Sequence, residues 1–190
     1  MEVMSQITKR ALGESLKQLL GQKPLNKVTV NDITENCGVS RMTFYYHFQD
    51  IFELVEWTCE EEARKALQGK KTYDTWQEGA LQIFRTVQKN KPFIMNVYHS
   101  VSREQIENYL YKVTYDLLIG VVEEQSKGFS IHQSDKEFIA HVYKYAFVGL
   151  MLDWIRGNMK DDPVALVDRL SLVVQGNIAS ACKRMETKKS

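Results

Sequence analysis

The chain has little of what marks most specialised protein classes. Among its 190 residues are three cysteines, Cys37, Cys59 and Cys182, widely spaced and without a CxxC pair. That leaves no disulfide framework and suits reduced, buried thiols. The three prolines, Pro24, Pro92 and Pro163, each fall between segments of helical periodicity. No hairpin dipeptide sits between alternating residues and no tandem repeat occurs, so nothing points to a sheet or a solenoid. The longest uninterrupted apolar stretch, Ala146 to Leu152, is far below the roughly 20 residues needed to cross a bilayer. The N-terminus begins with an acidic residue and lacks the apolar core of a secretory signal. No membrane partner and a cytoplasmic location are therefore expected. Neither charge sign dominates: 25 Lys+Arg face 24 Asp+Glu, a net charge of +1. A protein that grips nucleic acid by bulk charge alone is excluded.

Chemistry is also sparse. His99, His132 and His141 are not spaced as ligands one turn apart and no cysteine cluster accompanies them, so no metal is expected. A nucleophile elbow, a Walker loop and paired carboxylates in a convincing frame are all missing. The chain does not read as an enzyme, and no cofactor is implied.

What is present is helix. With 44% hydrophobic and 26% charged residues the composition is that of an ordinary globular protein of one or two domains. Ile7, Ala11, Leu12, Leu16, Leu19 and Leu20 form one apolar stripe, closed by Gly21. Thr29-Val30-Asn31-Asp32 fits a capping box opening a short helix to about Asn36. Gly38 can take a left-handed conformation, Val39 plugs the turn, and Ser40 can cap a third helix to about Phe48. Ile33, Cys37, Val39, Phe44 and Phe48 are the buried positions of this helix-turn-helix pattern. The outer face then offers Arg41, Met42, Thr43, Tyr45, Tyr46 and His47 to a major groove, groups able to donate, accept, stack and touch methyls.

Residues 5–54, and most tightly Val28 to Ile33 and Gly38 to Phe48, resemble the N-terminal DNA-binding domain of the TetR family of transcriptional regulators. Gly-Val-Ser, Thr-Phe-Tyr and His-Phe stand together at that family's spacing. The resemblance implies that Thr29, Val30 and Asn31 approach the DNA backbone, that Thr43 and Tyr45 contact phosphates and that His47 lies near the backbone. It places Arg41 and Met42 at base edges, with Ser40 and Tyr46 in the same DNA-binding set, and keeps Phe44 and Phe48 in the core. One departure stands out: Ile51 occupies the position where many family members carry a phosphate-binding Lys. The acidic run that follows, Glu53, Glu56, Glu60, Glu61 and Glu62, reads as a solvated helix face.

Downstream, periodicity predicts a fourth helix to about Gly69, a fifth capped by Asp74 or Thr75, and a short helix from Phe93 to Ser100. A seventh opens on the capping box Ser102 to Gln105, an eighth follows Ser134, and a ninth runs from Asp162-Pro163 to about Ala181. The expected architecture is all-α with about nine helices: residues 1–50 a DNA-binding domain, residues 51–190 a regulatory and dimerisation domain. The last two helices are apolar on more than one side, which points to a subunit interface through Val148, Leu152, Ile155, Leu166, Leu170, Val173, Val174 and Ile178. Gly149 and Gly176 would allow close helix approach. Gly149 through Trp154-Ile155-Arg156-Gly157 and then Asp162-Pro163 resemble the end of the TetR-type regulatory domain, in which two such helices pair about a two-fold axis. That domain also resembles a subgroup that includes regulators of dihydroxyacetone kinase operons.

Trp76, Phe84, Phe93, Tyr98, Tyr109, Tyr115, Tyr143 and Phe147 supply aromatic walls for a small-molecule effector, or simply a helical core. The expected function is a homodimeric regulator, by family resemblance a repressor, that reads double-stranded, pseudo-palindromic operator DNA under effector control. The alternative is a DNA-bound regulator or activator whose C-terminal domain docks a co-regulator protein. Residues 1–49 carry six Lys/Arg against four acids and the remainder 19 against 20, so the near-neutral chain contains a mildly basic head. Few phosphate charges are neutralised per subunit, and modest non-specific affinity follows.

Overall fold

Leucines one turn apart seat the first helix, α1 (Glu2–Leu20), in the core: Leu12, Leu16 and Leu20 are fully buried. Ile7, placed on the same stripe by spacing, is 59% exposed in the computed structural model, so the buried face begins one turn later. The structure describes residues 2–68, 72 and 75–187, and among them only helices and turns occur. A single 3-10 turn (Leu25–Lys27) leads to α2 (Val30–Cys37) and α3 (Arg41–His47). Then follow α4 (Ile51–Ala66), α5 (Trp76–Lys89), α6 (Lys91–Ser100), α7 (Arg103–Gln125), α8 (Gln133–Arg156), α9 (Pro163–Val174) and α10 (Asn177–Arg184).

Most of the caps foreseen from residue types are in place; the exception is Ser134, which lies inside α8, since that helix starts at Gln133 with His132 at its cap and no side-chain cap hydrogen bond. Ser102 Oγ accepts from the Gln105 amide at 3.2 Å while Gln105 Oε1 accepts from the Ser102 amide at 3.1 Å, the reciprocal box at the start of α7. Asp162 accepts from the amides of Val164 and Ala165, with Pro163 opening α9. Gly69 and Asp74, expected at the end of α4 and the start of α5, lie outside the described residues. The last of the nine helices is broken in two: α9 stops at Val174, and Gly176 takes φ 73°, a left-handed turn into α10. Gly176 therefore makes a corner and does not serve as a close-approach site within one straight helix.

Packing divides the chain into two units, residues 1–62 with 89–109, and residues 63–88 with 110–190. The first unit packs α1, α2 and α3 around Leu12, Leu16, Ile33, Phe44, Phe48 and Leu54, and draws Phe93 and Val97 of α6 into the same core. Asn96 Nδ2 donates to the Leu20 carbonyl at 2.6 Å, satisfying a free group at the end of α1. The packing division thus differs from a single cut after residue 50, because α6 returns to cover α1.

The second unit centres on Trp76, Phe84, Phe147, Met151 and Trp154, all buried, with Phe84 edge-on to Phe147 at 5.5 Å and to Trp154 at 5.0 Å. By length and composition α8 could cross a membrane, but half of that apolar stretch is buried, as in a core helix. Burial, joined by Glu60, Glu62 and Glu56, pushes the Cys59 thiol up to about 12, and burial also raises Cys37 and Cys182. These are inert thiols.

Gly38, between α2 and α3, has φ 71° and no heavy atom within 4 Å of a would-be Cβ, so a side chain there meets only backbone strain. Gly38→Ala should lower stability by about 1–2 kcal/mol without changing the fold. Chemical denaturation monitored by circular dichroism checks this, and an unchanged midpoint would show that the turn is not left-handed in solution.

Candidate nucleic-acid interface

Side-chain caps hold the helix-turn-helix before any ligand arrives. Thr29 Oγ1 accepts from the Asp32 amide at 3.2 Å, and Asp32 Oδ2 accepts from the Thr29 amide at 2.7 Å. Lys23 Nζ lies 2.8 Å from the same carboxylate. The Lys23 ammonium, followed by the Thr29 hydroxyl and amide, holds the Asp32 carboxyl down at about 2. At the other end of α2 the Gly38 and Val39 amides close on the Glu35 and Thr34 carbonyls. Ser40 Oγ then accepts from the Thr43 amide at 3.1 Å and shares a hydrogen bond with Thr43 Oγ1 at 2.9 Å. Ser40 positions α3, and its hydroxyl is engaged in the cap.

The outward side chains match the sequence assignment unevenly. Met42 is 84% exposed and Tyr46 82%, one turn apart on α3. Arg41 and Tyr45 are also exposed, as are Thr29 and Asn31, whereas Val30, Thr43 and His47 are half-buried. Burial, aided by the charge of Lys9, lowers the His47 pKa, so at neutral pH its imidazole brings a hydrogen-bonding group rather than a cation. Phe44 and Phe48 are buried as expected, their rings 5.9 Å apart, with Trp57 a further 5.9 Å from Phe48.

Residues that sequence reasoning passed over do much of the positioning. Ser15, buried within the leucine stripe of α1, donates to the Ile33 carbonyl at 2.8 Å. Asn36 Nδ2 donates to Ser15 Oγ and to Gln18 Oε1, each at 3.1 Å. A hydroxyl inside an apolar stripe was the available signal, since such a group needs a partner.

Charge is distributed differently from the bare count. Arg10 pairs with Glu61 at 2.9 Å, Lys17 with Glu14 at 2.8 Å and Glu62 at 3.4 Å, and Lys23 with Asp32. Glu61 is buried, so the acidic run of α4 is in part a docking edge for α1 rather than a solvated face. Among the described residues no carboxylate pairs with Lys9, Lys27 or Arg41, and Lys9 lies 5.6 Å over the Phe48 ring. Ile51, where a phosphate-binding Lys was absent, packs against the core.

The aromatic residues assigned to an effector are not brought into one cluster. Phe93 sits in the core of the first unit and Tyr109 packs against it, with Tyr98 in the same unit. Trp76, Phe84 and Phe147 are buried core of the second unit, and Tyr115 and Tyr143 are half-buried there. The interface assignment also shifts. Val148, Leu152, Ile155, Val174 and Ile178 are buried inside their own subunit, Leu166 and Leu170 are half-buried, and Val173 is 65% exposed. A helix apolar on two sides does not say which side its own chain covers. Among the described residues, no group of three His, Cys, Asp or Glu could hold a metal ion.

Residues 14–56 match the family described as "Bacterial regulatory proteins, tetR family", and residues 74–176, more than half the chain, match its "Transcriptional regulator C-terminal region". The chain belongs to the TetR family of transcriptional regulators. TetR-family proteins bind DNA, and this chain is a DNA-binding regulator, not an enzyme. Its relatives include the dhaKLM operon transcriptional activator DhaS of Lactococcus lactis, 27% identical over 155 residues, covering 80% of this chain and 82% of that one. The regulator YerO of Bacillus subtilis is 22% identical over 204 residues, covering 97% of this chain and 70% of that protein. In structure, the TetR-type fold superposes on DhaS with a TM-score of 0.70 at 22% identity, covering 95% and 99% of the two chains. The superposition on NalD, the secondary repressor of the MexAB-OprM multidrug efflux pump in Pseudomonas aeruginosa, has a TM-score of 0.57 at 14% identity over 98% and 100%.

The TetR-type head carries a pH signature. Asp32 titrates at about 2 in the folded chain against an ordinary 3.8, so its stabilising contribution is complete above 3.8 and disappears as the pH falls through about 2. Asp32→Asn should flatten the pH dependence of stability across that window. A carboxyl titration by NMR checks it, and a midpoint near 3.8 would mean that the Lys23 and Thr29 contacts do not persist in solution.

Proposed function

We propose that the chain acts as a homodimer on a pseudo-palindromic operator, with residues 1–50 reading DNA and residues 51–190 serving regulation and dimerisation. The observation that carries this is the exposed face of α3, Arg41, Met42, Tyr45 and Tyr46, on a helix held in place by Ser40, Gly38 and the buried Phe44. Arg41 offers two donors to a guanine edge, and Met42 and Tyr46 offer apolar surface to thymine methyls. Thr29, Asn31, Thr43, Tyr45 and Tyr46 present hydroxyl or amide groups to the backbone, and His47 adds a neutral one. With Arg10, Lys17 and Lys23 engaged in ion pairs, phosphate contacts rest on few charges, so two half-sites are needed for tight binding. Such a role belongs in the cytoplasm, where the DNA is.

By linkage, a small-molecule effector in the C-terminal domain would lower affinity if it favours a spacing of the two α3 helices that DNA does not. Repression is the default reading. Activation by docking a co-regulator protein is the second, favoured by the 27%-identical relative, which is named a transcriptional activator. Transcription in a cell extract that supplies the co-regulator, from a promoter bearing the bound site, separates the two: added protein lowers it in one case and raises it in the other.

Recovery of bound duplexes from a random pool should yield a two-fold motif, and Arg41→Ala should cost about 1–3 kcal/mol with relaxed choice at one base pair. If neither Arg41→Ala nor Tyr45→Ala weakened binding to that motif at fixed salt, the DNA-reading assignment would fail.

For the dimer, three of the apolar residues left uncovered on α8 and α9 are the proposed contact: Leu150, Leu172 at 79% exposure and Val173. Light scattering of the wild type should give twice the chain mass at micromolar concentration, and Leu172→Glu with Leu150→Glu should give one. A wild-type monomer would remove the two-fold reading.

A further inference from the structure

On α7 and α8 of the second unit, aromatic rings enclose a cation. Lys144 is only 7% exposed. Its Nζ lies 4.5 Å from the Tyr145 ring centre, 4.7 Å from that of Tyr111 and 5.8 Å from that of Tyr115. It is also 2.9 Å from His141 Nδ1, which accepts a hydrogen bond from the ammonium. The rings lean on one another: Tyr111 stands edge-on to Tyr145 at 5.2 Å, and Tyr115 tilts over His141 at 4.9 Å.

Lysine is rarely buried unless a carboxylate accompanies it. Among the described residues no carboxylate pairs with Lys144. An ammonium has three donors; one reaches His141, and the ring faces compensate the lost hydration of the others only in part. Packing does not require a charge here, since a methionine would fill the same volume. The cluster reaches solvent at Tyr145, which is 53% exposed.

We propose that this box is a binding site for a small organic carboxylate, whose oxygens take the remaining donors of Lys144 and whose apolar body lies against the tyrosine rings. Burial, followed by the charges of Glu137, Glu123 and Asp116, raises the pKa of the Tyr115 hydroxyl. These acids lie on the Tyr115 side of the box, so a ligand with one carboxylate suits it better than one with two. The inference supplies a chemical class for the effector and rests on the proposed function only for the consequence at DNA.

Benzoate and benzamide share a shape and differ in charge, so they are the probes, used on the full chain without DNA and at constant ionic strength. Benzoate should raise the thermal unfolding midpoint in a saturable manner and benzamide should not. Lys144→Met should weaken benzoate binding, measured by calorimetry, by about tenfold or more, while Lys144→Arg should retain it. Equal responses to the two probes, or a Lys144→Met chain that binds benzoate like the wild type, would overturn the site. Should Lys144→Met fail to fold, the wild-type comparison decides alone. Because DNA is absent from the measurement, a chain that binds benzoate but no operator would count against the DNA reading and leave the site standing.

Discussion

A seven-residue helix does not persist in water by itself, because the few hydrogen bonds it can make do not repay the ordering of its backbone. Helix α3, Arg41 to His47, exists because Phe44 is inserted between α1 and α2 with no surface left exposed. Burying such a side chain contributes about 1.5–3 kcal/mol, comparable with the cost of ordering one or two residues. The remainder comes from Phe48, from the Ser40 cap and from the turn at Gly38. Everything the outer face offers to a ligand is fixed by what the inner face buries. Arg41, Met42, Tyr45 and Tyr46 point outward because Phe44 of the same short helix, and Phe48 just past its end, point in.

This dependence explains what could be read without coordinates. Caps and left-handed turns are local, and each has a short list of residue types that serve: Thr29 with Asp32, Ser40 before Thr43, Ser102 with Gln105 and Asp162 before Pro163 all stand where residue chemistry placed them. The alternation of buried and exposed positions on α3 is equally local. Long-range partners were not legible. That α6 would cover α1, that Asn96 would bond the Leu20 carbonyl, and that Arg10 would meet Glu61 are facts of folding back across tens of residues. Helices α8 and α9 show the same limit in another form. Two apolar faces were visible, but which one the chain itself covers depends on neighbours that periodicity does not name, so Val148 and Ile155 turned inward. The Gly176 corner escaped because apolar spacing continues on both sides of it.

Ion pairs reinforce the same theme. Of the six basic residues before position 50, three are held by carboxylates within the first unit. Arg10 with Glu61 is an asymmetric contact: Arg10 is half exposed and would stay solvated alone, whereas losing it takes a cation away from the buried Glu61 carboxylate. The mild positive charge of the head is therefore largely structural, and counting lysines overstates the field presented to a polyanion.

The return of α6 to the first unit bears on how such proteins can be recombined. The chain passes between its two packing units at residues 62/63, 88/89 and 109/110, not once. A chimera joined after residue 50 would transplant the reading helix without Phe93, Val97 and Asn96, leaving leucines of α1 uncovered and the Leu20 carbonyl without its donor. Heads of this kind are not freely interchangeable modules. A successful graft must either carry α6 with it or land on a recipient whose own sixth helix presents an equivalent apolar face, which ties the specificity of the head to the ancestry of the body.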